Sequence, residues 1–152
     1  MNITIQKYTK EHIPDVLAFE AQLREEEPGH WPWDIGPASA AAVERSFFDS
    51  AFNASLSLLA YDGGKVVGRI DCAIIASHFD GSKKAYLDWI CVLKSRRHSG
   101  VAQKLLSALK TELKAHGIDT LIALTDEDAA AQRFYRSIPN SKMKDIGIWM
   151  DV

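Results

Sequence analysis

The apolar positions of the chain fall into blocks with two periods, one typical of strands and the other typical of helices. Residues 3–8 alternate apolar and polar positions and predict a first strand. The apolar residues of 13–23 recur at the spacing of one helix face, and Thr9 can cap this helix. Three prolines and two glycines within 24–38 predict an irregular loop, after which residues 39–52 predict a second helix that begins at Ser39.

The middle of the chain predicts neighbouring strands and then a long helix. The strand-like runs 55–61 and 65–77 flank Asp62-Gly63-Gly64, which is a strong signal for a β-hairpin. Residues 85–93 are apolar almost throughout, as is typical of a strand that is buried on both faces. The helix that follows Gly100 carries its leucines on a single stripe, which predicts one buried face.

Three further elements complete the predicted order. They are a strand at 120–124, a helix at 127–137 and a last strand at 145–151. Antiparallel strands come first and a β-α-β-α-β run comes last, so the predicted fold class is α+β or mixed α/β. No repeat, low-complexity tract or linker divides the sequence, and we predict one domain over residues 1–152.

Composition and charge narrow the classes of function. The net charge of −2 argues against general nucleic-acid affinity, which needs a basic excess. No apolar run approaches the ~20 residues that span a membrane, and the N-terminus lacks the regions of a signal peptide. Cys72 and Cys91 lie in apolar runs without CxxC spacing, which predicts free thiols and neither a disulfide nor a metal site. We therefore expect a cytoplasmic protein without a nucleic-acid or membrane partner.

Residues 96–100, Arg-Arg-His-Ser-Gly, form a turn between the apolar strand and the next helix. Glycine permits close backbone approach, and the unpaired first amides of a helix can bind a phosphate. The Walker A motif GxxxxGK[ST] is absent, and a single glycine does not make the dinucleotide fingerprint. The local pattern fits either an anion site or a solvated turn with incidental arginines.

The segment from Arg97 to Ala102 matches R/Q-x-x-G-x-G/A, and it resembles the acyl-CoA pyrophosphate loop of the GNAT superfamily of N-acetyltransferases. The segment 128–137 resembles a later helix of that family, N-x-x-A-x-x-[LF]-Y, with Ala131, Phe134 and Tyr135 in place. The chain departs from the family in two places. Asp128 stands where the family usually has asparagine, and Ile138-Pro139-Asn140 replaces the usual Gly-Phe after the tyrosine.

The resemblance implies a central, mostly antiparallel sheet of six to seven strands flanked by about four helices, and acetyl-CoA as co-substrate without a metal. In the family, main-chain groups of the strand before the loop bind pantetheine and polarise the thioester. This assigns donor binding to Ile90, Cys91 and Val92. The loop and the first residues of the next helix are assigned to the pyrophosphate, namely Arg97, His98, Ser99, Gly100, Val101 and Ala102. Asp128 and Ala131 of the later helix are assigned to the donor as well.

Acetyl transfer to an amine requires a base, because an amine with a pKa near 10 is protonated at neutral pH. Asp88 is the candidate base. It lies four residues before Val92, where many family members carry a glutamate, and strand alternation places it on one face with Tyr86 and Ile90. A water relay, or a solvated aspartate at a strand end, is the alternative. Tyr135 is the candidate acid for the CoA sulfur, and its alternative role is that of an aromatic packing anchor.

In the family, the first two helices and the loop between them shape the acceptor pocket. Residues 20–34 hold five acidic residues and one base, Arg24, together with two tryptophans. This pattern favours a small cationic amine such as an aminoglycoside or a polyamine, and the plain alternative is a solvated acidic stretch with core tryptophans. The candidate acceptor residues are Glu20, Glu27, Trp31 and Trp33.

Two functions of other classes fit parts of the same pattern. One is an acyl-CoA-binding regulatory or interaction domain without turnover, and the other is a binder of nucleotide phosphates. A domain of the first kind would need neither the loop nor the tyrosine, and this sequence has both. Many members of the family dimerise, and the sequence leaves a homodimer open.

Overall fold

The computed structural model describes residues 2–31, 33, 35–125, 129–144 and 147–151. Its strands are β1 (Thr4–Lys7), β2 (Ser55–Asp62), β3 (Lys65–Ala76), β4 (Lys83–Val92) and β5 (Leu121–Ala123). Its helices are α1 (Ile13–Glu26), α2 (Pro37–Ser46), α3 (Val101–Ala115) and α4 (Ala129–Arg136). Short 3-10 helices lie at Lys10–His12, Ser50–Phe52 and Lys94–Arg96.

The strands form one sheet in the order β1-β2-β3-β4-β5, and each pair from β1 to β4 is antiparallel. The mixed α/β class and the hairpin at 62–64 are thus confirmed, whereas six to seven strands is wrong for the described residues, which form five. Of the strand predicted at 145–151, residues 147–151 are not in a strand, and Asp145 and Ile146 lie outside the described part. Alternating apolar side chains do not suffice for a strand, which also needs a neighbour for its backbone hydrogen bonds.

The first two helices differ from their predicted bounds. α1 continues to Glu26, inside the segment predicted as a loop, and α2 begins at Pro37 rather than at Ser39. Proline fits the first turn of a helix because the missing N–H has no partner there in any case. Helical structure ends at Ser46, and residues 50–52 form only a 3-10 turn.

α3 packs its apolar stripe against one face of the sheet. Val101 and Leu105 are fully buried there, and Gly68 of β3 lies directly beneath them. A Cβ on Gly68 would lie 2.9 Å from Val101 Cγ1 and 3.1 Å from Leu105 Cδ1. Glycine at this position therefore lets the first turn of α3 lie close to β3. Arg69, the next residue of β3, points to the opposite face, where Glu20 of α1 lies near it.

Residues 1–122 and residues 123–152 form two compact units. The first contains α1 to α3, β1 to β4 and most of β5, and the second contains α4. Within the second unit, the Ser141 hydroxyl donates to the carbonyl of Tyr135 at 2.8 Å, closing the chain behind the helix. No helix of the described part is both long and apolar enough to cross a membrane.

Candidate active site

A β-bulge in β4 determines where Asp88 lies. Asp71 of β3 pairs with Trp89, and the next residue, Cys72, pairs with Leu87, so that Asp88 has no partner across the strands. A bulge of this kind inserts one extra residue and re-aims the side chains around it. Asp88 and Trp89 consequently line the same pocket although they are consecutive.

The bulge also changes the face on which Ile90 lies. Residues paired across two strands share a face, and Ile90 pairs with Ile70, which is fully buried. Ile70 is two residues from Gly68 and so lies on the α3 face of the sheet, opposite the face of Arg69. The expectation that Asp88, Tyr86 and Ile90 share one face is therefore wrong for Ile90, because simple alternation does not continue through a bulge.

A pocket of about 820 Å³ lies against the face of the sheet that carries Arg69, and we call it the sheet pocket. Its aromatic lining residues are Tyr8, Trp33, Phe47, Phe52, Tyr86 and Trp89. Its charged lining residues are Glu20, Arg69, Asp71 and Asp88. The pocket thus brings together three residues predicted from the sequence, Asp88, Glu20 and Trp33.

Three of the four charges in the sheet pocket belong to one network. Arg69 Nε lies 2.6 Å from Asp71 Oδ2, and Arg69 Nη2 donates to Asp71 Oδ1 at 2.9 Å. The Ser57 hydroxyl also donates to Asp71 Oδ1, and the Arg69 guanidinium lies 5.0 Å from the centre of the Tyr8 ring. Burial lowers the pKa of Arg69, but Asp71, Tyr8 and Cys91 together raise it by more, so this buried guanidinium stays charged.

Glu20 joins this network to α1. Its carboxylate accepts from Arg24 Nη1 at 2.9 Å and lies 3.9 Å from Arg69 Nη1. Two positive and two negative charges, those of Arg24, Arg69, Glu20 and Asp71, thus neutralise one another. Asp88 is exposed, and no hydrogen bond or ion pair holds its carboxylate among the described residues. It is the charge on this pocket wall that is left for a ligand.

Three tryptophans pack edge-to-face beside the pocket. The ring of Trp33 lies 5.0 Å from that of Trp89, and Trp31 lies 5.6 Å from Trp33 and 5.8 Å from Trp89. Trp31 Nε1 donates to the carbonyl of Leu23, and Arg24 Nη2 donates to the carbonyl of Trp33. These bonds tie the loop after α1 to the end of that helix. Trp33 lines the pocket, whereas Trp31 supports the other two rings from outside its wall.

Residues 94–102 follow the end of β4 and include the first two residues of α3, and we call this segment the glycine turn. Gly100 is the N-cap of α3 with a φ of +83°, a left-handed conformation that favours glycine. His98 also has a positive φ, of +60°. The first helical hydrogen bond runs from Lys104 N to Gly100 O, so the amides of Val101 and Ala102 have no acceptor within the helix.

The arginines of the glycine turn are already paired with carboxylates. Arg97 donates through both Nη1 and Nη2 to the two carboxylate oxygens of Glu27, with an Nη1–Oε1 distance of 2.9 Å. Arg96 lies 3.5 Å from Asp62 of the hairpin. Glu27, predicted as an acceptor residue, therefore contacts the glycine turn and is not among the residues that line the sheet pocket.

The other predicted donor residues fall into two groups. Six of them lie at the end of β4 or in the glycine turn, as the sequence order requires, namely Ile90, Cys91, Val92, Ser99, Val101 and Ala102. Asp128 lies outside the described residues, and Ala131 lies in α4. Tyr135 also lies in α4, where its ring packs 5.4 Å from that of Phe134.

Sequence reasoning missed most of the pocket wall. Five residues that line the pocket had no assigned acceptor role, namely Tyr8, Arg69, Asp71, Tyr86 and Trp89. Arg69 and Asp71 carried a usable signal, because two opposite charges two residues apart within an apolar strand must share a face and pair. Tyr8 had no local signal, although its buried hydroxyl has no hydrogen-bond partner among the described residues.

The profile of the acetyltransferase (GNAT) family matches residues 17–138, which is most of the chain. The chain belongs to this family. It is accordingly an acetyl-CoA-dependent N-acetyltransferase, as the glycine turn and the tyrosine helix predicted. No curated protein sequence matches the chain.

Solved structures whose names indicate different functions have the same fold. A transcriptional regulator from Bacillus halodurans C-125 has a TM-score of 0.81 at 18% identity, over 99% of this chain and 100% of that chain. An aminoglycoside acetyltransferase from an uncultured soil metagenomic sample, in complex with sisomicin, has a TM-score of 0.78 at 16% identity, over 99% and 96%. A ribosomal-protein-alanine N-acetyltransferase from Brucella melitensis biovar Abortus 2308 has a TM-score of 0.76 at 16% identity, over 100% and 99%. At these identities the likeness shows the fold alone.

Proposed function

We propose that this chain, as a single GNAT domain, transfers the acetyl group of acetyl-CoA directly to a primary amine bound in the sheet pocket. The acceptor class to test first is a small cationic amine, such as an aminoglycoside or a polyamine. The observation that carries this proposal is the exposed Asp88 carboxylate, which lies on an aromatic pocket wall without a partner among the described residues. An ammonium group pairs with such a carboxylate and packs against the neighbouring rings.

The donor is proposed to lie along the end of β4 and the glycine turn. Main-chain groups of Ile90, Cys91 and Val92 bind pantetheine and the thioester. The amides after Gly100, together with Arg97, bind the diphosphate, because a helix N-terminus carries partial positive charge. His98 and Ser99 complete this turn, and Asp128 and Ala131 bind the donor from the later helix.

Direct attack is favoured over an acetyl-cysteine intermediate. Burial raises the pKa of the Cys91 thiol to about 12 and that of Cys72 to about 11, so neither is a thiolate at neutral pH. Both cysteines are free thiols, which favours a reducing compartment such as the cytoplasm. A homodimer stays a prediction, as does the absence of nucleic-acid and membrane partners.

In the proposed reaction the amine nitrogen attacks the thioester carbonyl carbon, and a C–N bond forms as the C–S bond breaks. Asp88, directly or through water, takes the proton that the attacking amine loses. Backbone N–H groups at the end of β4 stabilise the negative charge on the carbonyl oxygen, and one such donor contributes about 3 kcal/mol. Tyr135 gives its proton to the departing thiolate, and the products are the acetylated amine and CoA.

The test is release of CoA thiol from acetyl-CoA with a panel of acceptors. The panel contains aminoglycosides, linear polyamines, monoamines and amines that also carry a carboxylate. We expect the highest kcat/KM for amines with a net positive charge. A preference for neutral or anionic acceptors overturns the acceptor class, whereas tight CoA binding without amine-dependent thiol release overturns the proposed reaction.

A further inference from the structure

Three consecutive glutamates at the C-terminal end of α1 have three different surroundings. Glu25 is exposed, and no contact of its carboxylate is found within the described part of the chain. Glu26 and Glu27 are partly buried, and both reach the glycine turn about seventy positions further along the chain. One helix end thus presents two carboxylates to the segment that is proposed to bind an anion.

Glu26 holds the main chain of the glycine turn. Its carboxylate accepts from the backbone N–H of Ser95 at 2.9 Å and from the Ser95 hydroxyl at 2.7 Å. Gln22, one turn earlier in α1, donates to the same carboxylate at 2.9 Å and fixes its orientation. These bonds restrain residue 95 without using any group of Arg97 or any amide after Gly100. Glu26 therefore favours the conformation of the turn and leaves its anion-binding groups available.

Glu27 holds the side chain of Arg97 instead. Both terminal nitrogens of the guanidinium donate to its two carboxylate oxygens, which is the bidentate geometry that arginine also uses for phosphate. This edge of the guanidinium can bind one such partner at a time. A diphosphate that uses it must displace Glu27 and leave that carboxylate beside another anion.

We infer that Glu27 competes with the diphosphate of acetyl-CoA for Arg97, whereas Glu26 supports the turn that binds it. The inference rests on the proposed donor site. Two adjacent glutamates at the end of α1, its last residue and its C-cap, then act on donor affinity with opposite signs. Glu27 sets an upper limit on donor affinity, and exchange of Arg97 between Glu27 and the diphosphate accompanies each binding and release of CoA.

The test compares Glu25→Gln, Glu26→Gln and Glu27→Gln, which remove the same charge from the same helix end. Dissociation constants for CoA are measured by calorimetry at one fixed ionic strength. Relative to Glu25→Gln, we expect Glu27→Gln to bind CoA about threefold more tightly and Glu26→Gln to bind it about threefold more weakly, the size typical of partly exposed pairs. Circular dichroism of each variant confirms that all three are folded.

S-acetylpantetheine, which has no diphosphate, separates competition from a general change in the turn. Its KM is expected to be equal in Glu25→Gln and Glu27→Gln. The effect of Glu27→Gln on CoA is also expected to vanish in an Arg97→Ala background. The inference is overturned if Glu27→Gln binds CoA no more tightly than Glu25→Gln, if S-acetylpantetheine responds equally, or if the effect persists without Arg97.

The same variants distinguish a failure of this inference from a failure of the donor site on which it rests. If Arg97→Ala weakens CoA binding while Glu27→Gln matches Glu25→Gln, Arg97 binds the diphosphate and the competition is wrong. If Arg97→Ala leaves CoA affinity unchanged, the assignment of Arg97 to the diphosphate itself is wrong, and the competition fails with it.

Discussion

The glycine turn and the sheet pocket are assembled in opposite ways. The turn is one segment, residues 94–102, whose conformation depends on Gly100 and on the helix that begins after it. The pocket takes its wall from β2 to β4, from α1 and α2, from the loop between these helices and from Tyr8, which follows β1. A contiguous segment can carry a family motif, whereas a wall gathered from several elements is free to differ between members. The contrast explains why the family is evident from the sequence and the acceptor is not.

The pairing of charged side chains also differs between the two regions. In the glycine turn, Arg97 is paired with a carboxylate that an anionic ligand must displace. In the sheet pocket, the buried charges neutralise one another and Asp88 alone is left to a ligand within the described residues. If the proposals above hold, donor affinity in the turn depends on competition for Arg97, and acceptor recognition in the pocket depends on one carboxylate and the surrounding rings.

Asp88→Asn is the variant expected to have the largest effect, and it acts on the pocket alone. At neutral pH we expect kcat/KM for the amine to fall by about a hundredfold, because no base then takes the proton of the ammonium group. The defect should shrink as the pH rises toward the amine pKa near 10, where the acceptor is already deprotonated. The affinity for CoA, measured by calorimetry, should not change.

Asp80→Asn is the control for this variant, since Asp80 is an exposed aspartate that lies before the other end of the same strand. Its kcat/KM should equal that of the wild type. If Asp88→Asn also retains the wild-type kcat/KM at neutral pH, Asp88 is not the base, and a water relay takes its place.

Tyr135→Phe tests whether a residue of the second compact unit contributes to the chemistry. We expect kcat to fall by about tenfold, less than for Asp88→Asn, because a thiol with a pKa near 8.5 is a good leaving group even without an acid. Phenylalanine keeps the ring that packs against Phe134, so an anchoring function would survive. The measurement is the rate of thiol release at saturating donor. An unchanged kcat would leave Tyr135 as a packing residue only.

The predictable parts of the molecule are those in which a few consecutive residues determine the structure. The hairpin followed from its turn residues, and the buried stripe of α3 followed from its leucine spacing. The glycine turn followed from one glycine placed between an apolar strand and an amphipathic helix. In each case the interactions that fix the conformation lie close together in sequence.

The unpredicted parts depend on pairings that are distant in sequence. The bulge at Asp88 exists only in the register between β3 and β4, so alternation along β4 alone placed Ile90 on the wrong face. Glu27, predicted to face an acceptor, instead contacts the glycine turn, about seventy positions away. Composition reports how many charges a segment carries, but not which partner each of them meets.

Gly100→Ala and Gly117→Ala form a matched pair that isolates the glycine turn. Both residues have positive φ, of +83° and +71°, and at both a Cβ would meet nothing within 4 Å. Each substitution should lower the free energy of unfolding by about 1–2 kcal/mol, the strain of a left-handed backbone. Only Gly100→Ala should also weaken CoA binding, since only Gly100 precedes the helix whose amides are proposed to bind the diphosphate. Equal CoA affinity in the two variants would contradict this placement.

The smallest expected effect is a pH-dependent stability contribution from Glu26. Burial raises the pKa of this carboxyl, but the hydrogen bonds from Ser95, Gln22 and the Lys94 backbone together lower it by more, so its pKa in the folded protein is below 4.5. A lowered pKa contributes stability that is complete above the unfolded-state value and is lost as the pH falls through the folded-state value. Solvent screening limits the contribution to a few tenths of a kcal/mol.

The difference in unfolding free energy between wild type and Glu26→Gln should therefore be constant above about pH 5 and should disappear on acidification below the folded-state pKa. Glu25→Gln is the control for removal of a charge at this helix end, since its carboxylate has no contact with the glycine turn in the described part of the chain. Urea unfolding at several pH values measures both variants. A Glu26→Gln difference that is independent of pH would mean that the turn is held by packing around residue 95, and that the carboxylate charge contributes nothing to the link between α1 and the glycine turn.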